Sequence, residues 1–155
     1  MTKTKFFSIV CGLFLTSHFA MAQESPQPED LLKTYESIQQ AMASDEWESA
    51  KKLAGKAAEI LKGPSSEFQK KIQEGVKALV VSQSDPDSRK AFGVYSEGVT
   101  ALVRSDKNLQ KSWQLFYCPM VPKGTYRYWV QAKGTELKNP YYGAKMLSCG
   151  VTRSW

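Results

Sequence analysis

Residues 31–61 read LLKTYESIQQAMASDEWESAKKLAGKAAEIL, and the spacing of their apolar positions decides the fold class. Leu31, Leu32, Tyr35, Ile38 and Met42 recur at three- and four-residue steps, which is one face of a helix. The pattern stops near Ser44. A second then begins, with Ser44 or Asp45 placed to cap it, Glu48 in its first turn, and Trp47, Ala50, Leu53, Ala54, Ala57, Ala58 and Leu61 on one side. Its small residues predict close helix packing, and Gly63-Pro64 ends it.

Two further helical patterns follow. One, capped by Ser65 or Ser66, carries Phe68, Ile72, Val76, Leu79 and Val80. The other opens at Asp85-Pro86, a cap followed by proline in the first helical position, and carries Phe92, Tyr95, Val99, Leu102 and Val103. Helices of about 15 to 20 residues joined by short connections pack antiparallel. The expected fold is all-α, a four-helix bundle over residues 28–104. A helical-repeat reading, suggested by Trp47 and the alanines beside it, finds no second copy at a fixed period.

Past Asp106 the texture changes to aromatics, glycine, proline and sulfur. Residues 110–155 are too few to bury a core of their own and are expected to cap the bundle within one domain, residues 23–155. Short apolar runs at Trp113 to Cys118 and Tyr126 to Gln131 suggest strands. Pro122-Lys123-Gly124, Lys133-Gly134 and Asn139-Pro140 are turn signals. Trp113 and Trp155 read as packing anchors, and Glu136 as a partner for Lys138 or Arg127.

Residues 1–22 have the pattern of a secretory signal peptide: Lys3 and Lys5, an apolar run from Phe6 to Leu15, and Ala20-Met21-Ala22 as the cleavage signal, with cleavage after Ala22. The run is too short to span a bilayer, and no later segment is long and apolar enough. Cleavage removes His18 and Cys11, leaving 133 of the 155 residues, no histidine, and a formal charge that falls from +6 to +4. The lysines of the helical patterns alternate with glutamates as on a solvated face, which argues against a nucleic-acid partner. Without histidine there is no Ser-His or Cys-His pair, and no Cys-x-x-Cys or haem motif is present. The chain does not read as an enzyme.

Its chemistry lies between Tyr117 and Gly150. Cys118-Pro119-Met120 and Met146-Leu147-Ser148-Cys149 bracket an aromatic segment with two thiols and two thioethers. Such soft donors select monovalent copper or silver over hard cations. Thioethers suit zinc poorly. One reading is therefore a metal site on Cys118, Met120, Met146 and Cys149. The other is a Cys118–Cys149 disulfide, the usual fate of two cysteines in an exported chain, worth about 3–4 kcal/mol for a loop of that length. That reading leaves a non-enzymatic module for docking an envelope protein. A redox-switched site combines the two. Asn139 is expected to bond nearby backbone behind the donors, and Tyr117, Trp129 and Tyr142 to shield them.

These residues carry a resemblance. Cys118-Pro119-Met120, Trp129, Asn139-Pro140-Tyr141-Tyr142-Gly143 and Met146-Leu147-x-Cys149-Gly150 resemble a bacterial periplasmic domain family of formally unknown function. That family also occurs as a C-terminal extension of Cus-type copper and silver efflux adaptor proteins. The resemblance covers residues 110–151 closely and the helices in pattern only. It implies a helical periplasmic domain that handles copper or silver, with the cysteines and methionines as ligands and an efflux adaptor or other envelope protein as partner. Where the family often has histidine before Cys-Pro-Met, this chain has Tyr117.

Overall fold

The computed structural model describes residues 27–61 and 66–155. The expected signal peptide over residues 1–22 and the Gly63-Pro64 break lie outside these residues. Most of the described chain is helical, with four long helices and a small three-stranded antiparallel sheet. None of the described helices is long and apolar enough to cross a membrane.

The first helix, α1 (Pro28–Ala43), buries Leu31, Leu32, Tyr35, Ile38 and Met42, the face its periodicity marks. The second, α2 (Trp47–Ile60), buries only Ala50, Ala54 and Ala57, so it meets its neighbours through small side chains. Its start differs from expectation: Glu46 is the cap position, with no side-chain cap bond, and neither Ser44 nor Asp45 caps it. Asp45 instead takes φ +61, and its carboxylate is used elsewhere. In α3 (Glu67–Val81), Ser66 forms a reciprocal capping box with Gln69.

The longest helix, α4 (Asp85–Ser105), is capped by Ser84 rather than Asp85, with Pro86 at its second position. Asp85 is the first helical residue, and its carboxylate accepts a hydrogen bond from Arg89 Nε at 2.8 Å. Consecutive helices pack together, and α3 and α4 approach to backbone contact at Gly75 and Gly98. Tyr35 stacks on Phe92 at 5.5 Å and meets Tyr95 edge-on at 5.1 Å, joining α1 to α4.

A four-residue helix, α5 (Leu109–Ser112), leads into β1 (Trp113–Tyr117), which pairs with β2 (Tyr128–Ala132) and β3 (Val151–Arg153). The sheet is ordered β2-β1-β3. The cap expected to contain short strands holds a three-stranded sheet, so the all-α class applies to the helical part alone. Of the strands, β1 and β2 match the apolar runs, while β3 is wholly exposed and carries no burial pattern to announce it.

The outer edge of β2 is sealed by hydroxyls. The Val130 N–H donates to Tyr35 Oη at 3.3 Å, Tyr35 Oη lies 2.6 Å from Ser96 Oγ, and Ser96 Oγ donates to the Tyr128 carbonyl at 2.9 Å. Ser96 spends its one proton on that carbonyl, so Tyr35 must donate to Ser96. Tyr141 Oη also donates to the Tyr128 carbonyl, at 2.6 Å. Strand amides that would otherwise be orphaned against the helices are thus satisfied.

Burial pushes the phenols of Tyr35, Tyr95 and Tyr141 well above their ordinary range. An unfolded phenol ionises near pH ~10. Stability from these three groups is therefore intact below that pH and falls as pH rises past it toward their folded values. The hydroxyls of Tyr35 and Tyr95 are not equivalent, because that of Tyr95 is buried with no partner among the described residues. Tyr35→Phe is expected to lose about 1–3 kcal/mol by stranding the Val130 N–H, whereas Tyr95→Phe is expected to be neutral or slightly stabilising. Urea unfolding of both variants at neutral pH checks the contrast.

Candidate functional site

Cys118 follows directly on β1. Its N–H donates to the Arg127 carbonyl at 3.0 Å, extending the β1–β2 ladder past Tyr117, and its side chain is fully buried. Cys149 precedes β3, which is held in register by Tyr117 opposite Val151. The sheet therefore brings two cysteines 31 residues apart together, with sulfurs 3.7 Å from each other. Both are free thiols.

A closed loop of hydrogen bonds fixes the Cys149 side. The Asn139 side chain donates from Nδ2 to the Cys149 carbonyl at 2.7 Å and accepts the Tyr141 N–H at 2.8 Å, while the Asn139 N–H donates to the Leu147 carbonyl at 2.7 Å. Asn139 is fully buried, the backbone-bonding role its turn position suggested. Between its contacts runs a 3-10 turn, Gly143–Met146. Cys149 N–H bonds back to the Met146 carbonyl at 3.0 Å.

The aromatics pack around this frame. Trp129 is buried, stacks on Phe116 at 5.4 Å, and donates from Nε1 to Gln131 Oε1 at 2.8 Å. A side chain at Gly150 would run into its ring, so the chain beside Cys149 lies flat against the indole. Tyr142 Oη donates to the Met120 carbonyl at 2.6 Å, tying the first sulfur segment to the second. Tyr117 is half-buried, with the guanidinium groups of Arg127 and Arg153 5.8 Å and 5.0 Å from its ring centre. Arg127 also donates to Tyr117 Oη, and no ion pair of Glu136 appears among the described residues.

Of the four expected sulfur donors, direct contact is established for the cysteines alone. Met120 is 55% exposed, and Met146 is half-buried in the 3-10 turn. Among the described residues no three His, Cys, Asp or Glu side chains form a metal-holding group. With metal–thiolate bonds of about 2.3 Å, two sulfurs at the tetrahedral angle are separated by about 3.8 Å. The 3.7 Å between the two thiols is close to that spacing and is also an ordinary contact distance for two sulfurs. The Cys149 thiol is pushed up from its ordinary value by desolvation first, then by the neighbouring Cys118 thiol. It is protonated at neutral pH, so an incoming metal must displace a proton.

Residues that carried no sequence signal hold the site in place. Arg89 on α4 donates to Asp85 and Asp45 and to the carbonyls of Met42 and Pro140, at 2.6–3.2 Å. The second oxygen of Asp45 accepts the Ala144 N–H at 3.0 Å, capping the 3-10 turn. Gly143, at φ +56, lies so close to that carboxylate that any Cβ would collide with it. Gln39 of α1 also reaches across, donating to the Lys138 carbonyl at 2.5 Å. The i, i+4 spacing of Asp85 and Arg89 is the only local hint of this hub. Comparison with protein-family models, with curated proteins and with solved structures finds no match to this chain.

Proposed function

We propose that the protein is an exported carrier of monovalent copper or silver, a four-helix bundle whose C-terminal cap holds the ion between Cys118 and Cys149. The observation that carries this reading is the pair of free thiols 3.7 Å apart on a frame fixed by Asn139 and the sheet. Met120 and Met146 supply thioethers from the rim, where an exposed, flexible donor can change partners during transfer. The likeness to the Cus-associated periplasmic family supports the same chemistry, with an efflux adaptor or other envelope protein receiving the ion. The protein buffers or delivers metal and catalyses no reaction.

A second reading is favoured by the complete burial of Cys118: a disulfide closes the loop and the domain serves as an interaction module. Native mass spectrometry of protein released without reductant from copper-fed cells separates the two. The carrier reading predicts a mass raised by one copper ion, abolished by Cys149→Ser. Joint replacement of Met120 and Met146 by leucine is expected to weaken binding by an order of magnitude or more. A mass short of two hydrogens, with no metal, replaces the carrier by the module.

A further inference from the structure

The two parts of the chain differ sharply in charge. Residues 23–106 carry eleven basic and fourteen acidic side chains, a formal −3. Residues 107–155 carry eight basic side chains against one acid, Glu136, a formal +7. All seven ion pairs among the described residues fall within the helical part or the turn at Asp45. The cap's cations are left without carboxylate partners among the described residues.

Three of these cations lie on the segments that carry the thiols. The guanidinium groups of Arg127 and Arg153 stand 5.8 Å and 5.0 Å from the ring centre of Tyr117, the residue before Cys118, and Lys145 is exposed on the 3-10 turn before Met146. Six large apolar side chains are exposed among the described residues. Of these, Met120, Leu147 and Val151 each lie two residues from one of the touching cysteines. An apolar centre ringed by unpaired cations is the anatomy of a protein-docking surface that selects a negative partner.

We infer that the face around the thiol pair docks an acidic protein segment, with Met120, Leu147 and Val151 as its apolar centre and Arg127, Lys145 and Arg153 as its charged rim. The charge complementarity names the occupant: a carboxylate-rich segment relieves the cap's +7, which nothing within the cap offsets. The inference rests on the carrier reading for the purpose of the contact, since docking here brings a partner's ligands to the two thiols. The surface itself is independent of whether metal binds.

The test uses the purified protein without metal, titrated with poly-L-glutamate and followed by amide NMR at low ionic strength and at about 0.15 M salt, where the Debye length is about 8 Å. Expected are shifts centred on residues 117–120 and 145–153, and binding weakened about tenfold by raising the salt or by Lys145→Glu with Arg153→Glu. Lys52→Glu with Lys56→Glu, exposed on α2, should change nothing. The same spectra report folding, and Lys145→Gln with Arg153→Gln serves if the reversal unfolds the cap. Shifts spread over the helices, indifference to the rim variants, tighter uptake by phosphatidylglycerol vesicles, or self-association through the acidic helices would each overturn the inference. Since no metal enters the experiment, failure of the carrier reading leaves its outcome intact.

Discussion

Arg89→Met is expected to lower stability by about 2–4 kcal/mol, more than loss of a single surface ion pair explains. The Arg89 side chain is only 14% exposed, and its guanidinium serves four acceptors on three segments: the end of α1 with the turn after it, the start of α4 and Pro140 of the cap. Methionine keeps the apolar stem but leaves the Met42 and Pro140 carbonyls without that donor. Asp45 and Asp85 are partly exposed and recover some hydration, which keeps the estimate below that for a fully buried ion pair. Thermal unfolding should show a fall on the order of 10 °C, while Lys90→Met, one residue on, stays near wild type. A double-mutant cycle with Asp45→Ala should give a coupling of roughly 1–2 kcal/mol. The variant should also label faster at Cys149, because Pro140 and Ala144 are the anchors of the segment carrying that thiol.

Gly75→Ala should be as damaging for a different reason. A Cβ there would lie 2.2 Å from the Tyr95 backbone nitrogen and 2.4 Å from its Cα. Neither atom can rotate away, so α3 and α4 must separate along their length. Overpacking a fitted interface usually loses about 1–3 kcal/mol, and a collision with backbone belongs at or above the top of that range. Gly55→Ala, in the same chemical series, should gain about 0.5–1 kcal/mol, since nothing lies within 4 Å of its Cβ position and alanine is the better helix former. Urea unfolding of the pair should give midpoints displaced in opposite directions. Equal losses in both would mean that helix separation is not what governs Gly75.

The helices were legible because burying one face imposes a three- and four-residue rhythm on Leu31 to Met42, and the same rhythm on α3 and α4. Cap identities were less so. Asp45 has the composition of an N-cap, yet its positive φ takes it out of the cap geometry, and its carboxylate bonds Arg89, 44 residues away. At α4 the cap falls one residue earlier than expected, on Ser84, and Asp85 bonds the same arginine. Strand β3 was invisible because its three residues are all exposed and owe their conformation to pairing with β1 alone. For the site, the meeting of Cys118 and Cys149 and the bonding of Asn139 follow from motif and turn chemistry. The exposure of Met120 does not, since nothing in Cys-Pro-Met says which way the chain turns after the proline.

The two edges of the sheet keep different time. Opening the β2 edge means drawing Val130 away from Tyr35, Ser96 and the helices behind them, so it moves with the whole fold. Opening the β3 edge breaks a three-residue pairing on an exposed strand and the bonds of Gln114 to Arg153 and of Trp155 to Trp113, a more local event. Cys118 belongs to the slow side, and Asn139 and Trp129 hold the chain at Cys149 and Gly150 on that side too. Cys149, whose carbonyl is held by the buried Asn139, lies before β3, so the two sulfurs stay together when that edge opens.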